Sequence, residues 1–297
     1  MSTPDCTVVQ LTDTHIVPAG RLLRDVVDTT GNLEAALAGL VDSGQRVDAL
    51  LVSGDLTDGG DPSAYRRLRE RVEPAAAALG AIAVYAMGNH DDRAHFRAEL
   101  LGPDDTSDDH GSEQGDASSP APHDAVYQLD GARLIVLDST SPGRHEGWLE
   151  TGQLEWLADV LATPDPSGAS LLVLHHPPLR SAVTTVDLLR LRGAEALARV
   201  VAGTDVRMIL CGHAHLTGAG SLGGIPVWIG PALSYRIDPM APQGRHRGFT
   251  GFGYSRIDVF DGTAVATAIE VTPAETVYDV PESQTMATLR ELAVVHD

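Results

Sequence analysis

Five short clusters of aspartate, histidine and asparagine stand directly after apolar runs of the sequence. Their carboxylate, imidazole and amide groups, with no thiolate, suit iron, manganese, zinc or cobalt better than a structural zinc knot. Residues i and i+2 of an extended backbone point to the same side, so the first and last clusters can each offer two ligands at once. The clusters are Asp13-Thr14-His15, Gly54-Asp55-Leu56-Thr57-Asp58, Gly88-Asn89-His90-Asp91, His175-His176-Pro177 and Gly212-His213-Ala214-His215.

These clusters hold more candidate ligands than one ion needs. A lone aspartate or histidine after a strand is ordinarily a cap or a satisfied turn residue. Turn chemistry alone does not require metal-ligand side chains in all five clusters. Two ions that share the Asp55 carboxylate would each have four protein ligands and keep positions for water and substrate. The sequence therefore predicts a two-metal site.

The order of the motifs, D-x-H, GDxxD, GNHD, HxP and GHxH, resembles the calcineurin-like metallophosphoesterase superfamily. The sequence around these motifs also looks like the class III cyclic nucleotide phosphodiesterase branch of that superfamily, the CpdA type. The resemblance runs from about Val8 to about Val271, over most of the chain. The segments that carry it are LTDTH, LVSGDLTDGGDPSAYRRLR, MGNHDDR, LHHPP and CGHAH.

The resemblance implies a ligand set for two divalent ions. Iron with manganese is the pair expected from the family, and zinc or cobalt would also suit these side chains. Within His175-His176-Pro177 the implied ligand is His175, two residues before the proline, which leaves His176 beside the site. The implied ligands are Asp13, His15 and His215 for the first ion, Asn89, His175 and His213 for the second, and Asp55 as the bridging carboxylate.

The resemblance also implies catalytic and substrate-binding residues. His90 matches the catalytic histidine beside the scissile ester, and Asp58 matches the carboxylate that orients this histidine. Asn89 is the third catalytic residue, because it neutralises charge on the phosphoryl oxygens. The residues expected to contact the substrate are Asn89, His90 and His215.

The elements that must position these side chains follow from the apolar patterns. Residues 8–12, 48–53 and 81–86 predict buried strands, with helices around 33–41 and over Pro62–Leu79 between them. This order indicates a parallel sheet with right-handed crossovers. Hairpin signals follow at Asp130-Gly131, Gly223-Gly224 and Asp261-Gly262. The predicted fold is α/β, with two packed mixed sheets flanked by helices, and the resemblance implies a four-layer α/β/β/α sandwich.

The predicted catalytic domain spans residues 1–272 and is followed by a tail at 273–297. Within the domain, residues 103–122 are acidic, rich in serine and glycine, and almost free of apolar side chains. Such a segment cannot offset its ordering entropy, so we predict a mobile insertion. The alternatives are a plain surface loop and a lid over the site.

The composition limits the partners. The formal net charge is −20, whereas a protein that binds nucleic acid polymers needs a basic surface. A small phosphate ester remains compatible, because bound cations reverse the local charge. With two cysteines and no long apolar run, we expect a cytoplasmic protein that makes no membrane contact. The resemblance makes a homodimer one candidate state.

The resemblance implies hydrolysis of 3′,5′-cyclic nucleotides, such as cyclic AMP, to the nucleoside monophosphate. An alternative is a broader phosphodiesterase acting on 2′,3′-cyclic nucleotides or glycerophosphodiesters, because the pocket walls select the substrate. An alternative of another class is a non-catalytic interaction module on the same fold.

Other residues near the motifs have simpler interpretations. Asp91 and Asp92 are expected to start a helix over 93–101, where negative charge favours the helix N-terminus. Cys211 is expected to be a small buried hydrophobe. Three arginines are either substrate contacts or solvated loop residues, namely Arg93, Arg245 and Arg247.

Overall fold

The computed structural model describes residues 3–101, 121–271 and Gln284. The predicted acidic insertion at 103–122 lies outside the described residues except for its last two positions. The predicted tail at 273–297 also lies outside them, except for Gln284. The last described strand ends at Glu270, and the domain boundary at 272 stays a prediction.

Helices separate the strands in the first half of the described chain, and hairpins dominate its last part. The helices are α1 (Thr29–Asp42), α2 (Pro62–Leu79), α3 (Arg93–Leu100), α4 (Thr151–Leu161), α5 (Thr184–Leu188) and α6 (Ala194–Val201). The strands are β1 (Cys6–Leu11), β2 (Ala49–Ser53), β3 (Ile82–Ala86), β4 (Ala125–Leu129), β5 (Ala132–Leu137), β6 (Ser170–Leu174), β7 (Val206–Cys211), β8 (Gly218–Leu222), β9 (Ile225–Ile229), β10 (Arg236–Ile237), β11 (Gly248–Phe249), β12 (Gly253–Phe260) and β13 (Thr263–Glu270).

Two mixed sheets form the centre of the fold. The first has the order β13-β12-β1-β2-β3, in which β1, β2 and β3 are parallel and the β12–β13 hairpin adds antiparallel to β1. The second has the order β4-β5-β6-β7-β9-β8, with a parallel centre and antiparallel edge strands. The predicted early parallel sheet and the three hairpins are confirmed.

Apolar residues lie on both faces of each sheet, so the two sheets pack against each other and against helices in four layers. Val8 of β1 packs between the sheets with Leu134 and Leu171. Its neighbour Val9 points to the other face and packs under α1 and α2, because successive side chains of a strand alternate. A third apolar cluster joins the second sheet to α4 and α6. The predicted α/β/β/α sandwich is confirmed.

Local signals set the helix ends. Asp61 caps α2 by accepting the Ser63 N–H at 2.7 Å, Pro62 occupies the first turn, and Gly80 ends the helix with φ of 70°. The predicted bounds of α2 are therefore confirmed. Helix α6 begins at Ala194, directly after Gly193, which is left-handed with φ of 67°.

Candidate metal centre

All five predicted clusters follow parallel strands, and the loops after these strands meet at one edge of the sandwich. The Asp13 N–H donates to the Gly54 carbonyl at 3.0 Å, which joins the loops after β1 and β2. The Gly212 N–H donates to the His175 carbonyl at 3.0 Å, which joins the loops after β7 and β6. The His213 N–H donates to the Asp13 carboxylate at 3.0 Å and so connects the two sheets. Carboxyl ends of parallel strands are the usual place for a site in an α/β fold.

Two groups of ligand atoms share the Asp55 carboxylate. Asp55 Oδ2 lies 3.4 Å from His15 Nε2, and Asp55 Oδ1 lies 3.3 Å from His175 Nε2. The two oxygens therefore face different groups, an arrangement that lets one carboxylate serve two cations. Within each group the ligand atoms lie within 4.8 Å of one another, and the groups are Asp13, His15, Asp55 and His215, and Asp55, His175 and His213.

The ligand loops hold an unusual backbone conformation. Eight described non-glycine residues have positive φ, and five of them are predicted ligands. Each costs of order 1–3 kcal/mol, which the surrounding structure must offset. The expected extended backbone is wrong, because these turns are left-handed. Asp13 and His15 still face one group, whereas His213 and His215 face different groups. The five are Asp13 (53°), His15 (43°), Asp55 (49°), His213 (67°) and His215 (50°).

Glycines precede the ligands where no side chain would fit. A Cβ on Gly88 would overlap the backbone nitrogen and a carboxylate oxygen of Asp55, and it would lie 2.8 Å from His175 Nε2. A Cβ on Gly54, whose φ is 95°, would overlap the His175 ring. The glycines of the GD and GN motifs therefore allow three loops to approach one another closely.

Second hydrogen bonds fix the orientation of two ligand imidazoles. His175 Nδ1 lies 3.1 Å from the Ser53 carbonyl, and His215 Nδ1 lies 2.8 Å from the Tyr235 carbonyl. A carbonyl only accepts, so each Nδ1 carries the proton and each Nε2 keeps a lone pair directed at the centre. Metal-binding histidines are ordinarily held in this way.

Two buried polar atoms of the centre, His175 Nε2 and Asn89 Oδ1, lack a hydrogen-bond partner among the described residues. A buried polar atom left without a partner costs about 1–3 kcal/mol, and a cation would remove that cost at both atoms. Together with the carboxylate and imidazole donors, these atoms fit a dimetal centre.

Burial and neighbouring charges shift the pKa values of Asp55 and His175 in opposite directions. Burial would raise the pKa of Asp55, but the charges of His175 and His15 outweigh it and hold that pKa well below its usual range. Burial would lower the pKa of His175, but Asp55 outweighs it and raises that pKa to about 9. Burial, aided by His175, lowers the pKa of His213 to about 3. A cation takes the place of a proton in such an environment.

His90 belongs to neither of the two groups that share Asp55, although it forms a third, more exposed group with His15 and Asp58. Its backbone N–H donates to Asp55 Oδ1 at 2.9 Å, and its Nδ1–H donates to the Asp58 carbonyl at 2.8 Å. The Asp58 carboxylate is 3.8 Å from His90 Nδ1 and 3.3 Å from His15 Nδ1. Asp58 therefore orients His90 through its carbonyl and His15 through its carboxylate, whereas we had expected its carboxylate to orient His90.

Asp91 has a role that differs from the expected helix cap. Asp92 alone caps α3, by accepting the His95 N–H at 2.9 Å. The Asp91 carboxylate instead ties the loop after β2 to the loop after β3. Its donors are Gly88 N–H (2.9 Å), Leu56 N–H (3.0 Å), Thr57 N–H (3.1 Å), Tyr65 O–H (2.9 Å) and, at a longer distance, Thr57 O–H (3.4 Å).

Three further residues have clear positions. His176 is buried beside the centre, with its ring 4.5 Å from that of His213 and its Nε2 3.2 Å from the His145 carbonyl. Cys211 is fully buried, as predicted. Arg93 is neither a solvated residue nor a free substrate contact, because it is buried with its Nε 3.0 Å from Asp138 Oδ2.

Comparison with known proteins identifies the family. The sequence model of the calcineurin-like phosphoesterases matches residues 6–216. The chain belongs to this family. This calcineurin-like phosphoesterase is 43% identical to the cAMP/cGMP dual specificity phosphodiesterase of Mycobacterium tuberculosis, over 92% of this chain and 82% of that protein. It is 44% identical to a probable cyclic nucleotide phosphodiesterase of Rhodococcus erythropolis, over 88% of this chain and 82% of that protein.

A solved structure supports the fold of this calcineurin-like phosphoesterase. A dimetal phosphatase from Danio rerio matches with a TM-score of 0.62 and 15% identity, over 91% of this chain and 98% of that one. The predicted family and hydrolase class are confirmed. In the part of the chain that the structure describes, no helix has the length and apolar character needed to cross a membrane.

Proposed function

We propose that this phosphoesterase hydrolyses 3′,5′-cyclic nucleotides, such as cyclic AMP, to nucleoside monophosphates at a two-metal centre. The observation that carries the proposal is the pair of ligand groups that share Asp55, with His90 beside them. Two relatives above 40% identity bear the name of cyclic nucleotide phosphodiesterases, which supports a small phosphodiester as substrate.

The proposed ligand assignment follows the two groups and adds Asn89 to the second. Two divalent ions bound there would lower the pKa of water and stabilise negative charge on the phosphoryl oxygens. Iron with manganese is the proposed pair, and zinc or cobalt would suit the same donors. Asp13, His15 and His215 would hold the first ion, Asn89, His175 and His213 would hold the second, and both ions would share Asp55.

His90 is the proposed proton donor to the leaving oxygen. Because its Nδ1–H is held by the Asp58 carbonyl, its Nε2 is left for the substrate. Breaking the bond between phosphorus and the 3′ oxygen leaves an alkoxide, which is a poor leaving group unless a proton reaches it. Asn89 and His215 line the same cavity, where they can contact the phosphoryl oxygens.

The cavity above the centre measures about 200 Å³, and its lining includes His15, Asp55 and His90. A concave site of this kind receives a small molecule, and the net charge of −20 disfavours a nucleic acid polymer. The cytoplasmic location and the homodimer stay predictions.

A substrate panel tests the proposal. The protein, purified and supplied with manganese, is assayed with 3′,5′-cyclic AMP, 2′,3′-cyclic AMP and a glycerophosphodiester. We expect the highest kcat/KM for 3′,5′-cyclic AMP. Equal or faster hydrolysis of the glycerophosphodiester would favour the broader phosphodiesterase. Absence of both bound metal and manganese-dependent hydrolysis would favour a non-catalytic module.

A further inference from the structure

A strained turn projects an arginine towards the proposed active site. Arg24 and Asp25 both have positive φ, of 51° and 62°. The turn is closed by a short bridge in which the Leu23 N–H donates to the Val27 carbonyl at 2.9 Å and the Val27 N–H donates to the Leu23 carbonyl at 3.0 Å. Strained backbone at non-glycine residues often accompanies function. The Arg24 side chain on this turn is therefore a candidate functional group.

Buried apolar residues anchor the turn, whereas Arg24 remains exposed. Leu23, Val27 and Val17 are buried and pack with Tyr235. The Arg24 guanidinium lies 5.4 Å from the centre of the Tyr235 ring, and its Nη2 is 3.4 Å from the Tyr235 hydroxyl. Among the described residues Arg24 forms no ion pair with a carboxylate. Its guanidinium is therefore held in place by an aromatic ring, close enough to the Asp58 carboxylate to help lower the pKa of that group.

Arg24 stands where two cavities adjoin. The first, of about 200 Å³, contains the metal centre, and the second, of about 280 Å³, lies beside it. Together they reach the size of small-molecule sites, roughly 300–1,000 Å³. Four residues line both cavities, namely Arg24, Tyr235, Ile237 and His246.

The second cavity has the chemistry of a site for a flat heterocycle. Its apolar walls come from Val26, Val27 and the ring of Phe249. Phe249 is 42% exposed although it is a large hydrophobic residue. Part of its ring is therefore available to a ligand, beside the Arg236 and Arg247 guanidiniums, which lie 5.9 and 5.1 Å from the ring centre. Aromatic rings and arginine planes are the usual stacking partners of nucleobases. A glycerol group has no flat ring to stack on these walls and would gain little binding free energy from them.

Phe249 is held in place by its neighbours. Its strand β11 pairs with β10 in the register Arg236 to Phe249. The Arg247 guanidinium lies 5.1 Å from the centre of its ring and forms an ion pair with Asp238 at 2.5 Å. These contacts hold the ring in position before a ligand binds, and such preorganisation lowers the entropic cost of binding.

We propose that the second cavity is the nucleobase subsite and that Arg24 and Phe249 determine specificity for nucleotides over other phosphodiesters. This inference rests on the proposed function. With the cyclic phosphate at the metal centre, the base enters the second cavity, contacts Phe249 and receives hydrogen bonds or stacking from Arg24. Neither residue touches the reacting phosphorus, so both act on substrate binding.

The test compares 3′,5′-cyclic AMP with methyl riboside 3′,5′-cyclic phosphate, which has the same cyclic diester and no base. We expect Arg24→Ala and Phe249→Ala each to lower kcat/KM for cyclic AMP by about tenfold, mainly through KM. Hydrolysis of the base-free diester should not change. Arg21→Ala is the matched control, because Arg21 is exposed on the same segment and lines neither cavity.

Three results would overturn the subsite while cyclic AMP is still hydrolysed by the unaltered protein. They are equal losses on both substrates, no loss on either, and an equal effect of Arg21→Ala. Failure of the unaltered protein to hydrolyse either cyclic diester would overturn the proposed function, and the subsite with it. Metal content of each variant is measured alongside, so that a damaged centre is recognised.

Discussion

Replacing His90 by alanine separates proton donation from metal binding. His90 belongs to neither ligand group around Asp55, and its side chain is 36% exposed, so its removal should leave the two ions and the fold intact. A positioned proton donor accelerates such a step by about 10²–10⁴-fold, which corresponds to roughly 3–5 kcal/mol in the transition state. We expect kcat on cyclic AMP to fall by that factor.

The leaving group provides the diagnostic assay. The 3′ alkoxide of cyclic AMP needs a proton, whereas 4-nitrophenolate leaves readily without one. On thymidine 5′-(4-nitrophenyl) phosphate, His90→Ala should therefore lower kcat by less than about tenfold. His95→Ala is the control histidine, because its side chain is bonded to the Gly60 carbonyl at 2.8 Å and does not line the cavity at the metal centre. This substitution should leave both rates unchanged.

One outcome would refute the reasoning directly. If His90→Ala retains two ions per chain and slows both substrates equally, His90 acts on the phosphoryl group and not on the leaving oxygen. The hydrogen bond between its Nδ1–H and the Asp58 carbonyl would then serve phosphate binding.

Three more substitutions have defined outcomes. Asp55→Ala removes a ligand from both groups, so elemental analysis should find fewer than two ions per chain, and full metal content would contradict the bridge. Asp91→Ala leaves four close donors and the more distant Thr57 hydroxyl without their acceptor, at about 1 kcal/mol or more for each close donor. Relief of the burial that raises the pKa of Asp91 to about 6 offsets part of this loss. Urea titration should show that Asp91→Ala lowers the free energy of unfolding by about 3 kcal/mol, against about 1 kcal/mol for Asp92→Ala. Equal losses would show that Asp91 does not join the loops after β2 and β3. Burial raises the pKa of Asp124 to about 7, so the folded chain keeps a proton that the unfolded chain releases. The free energy of unfolding should thus fall from about pH 4 to about pH 7, by up to about 1.4 kcal/mol per unit. Asp124→Asn should flatten that decline, and an unaltered slope would show that another group causes it.

Features with local causes were predictable from the sequence. The α2 bounds follow from Asp61, Pro62 and Gly80, and the β8–β9 hairpin follows from Gly223-Gly224. The convergence of the ligand clusters was predictable because parallel strands share one edge. For the helix and the hairpin, a residue and its near neighbours contain the whole signal, and for the clusters the rule for parallel strands supplies the rest.

Features that depend on distant partners were not predictable. Asp91 meets Leu56 and Thr57 across about 35 residues of chain, and no pattern in GNHD distinguishes this tie from a helix cap. Arg24 gains its position only because Tyr235, more than 200 residues away, lies beneath it. The left-handed ligand turns were also missed, because histidine and aspartate ordinarily occupy other backbone regions.

The shared position of Asp55 also has a mechanical consequence. Its group mates come from both sheets, with Asp13 and His15 after β1 and His175 and His213 after β6 and β7. Bound ions would thus act as a clamp across the seam between the two halves of the sandwich. Ligand binding stabilises a fold by about 2.7 kcal/mol at one hundred times the dissociation constant. The supply of metal would then control the stability of the folded protein as well as its rate of hydrolysis.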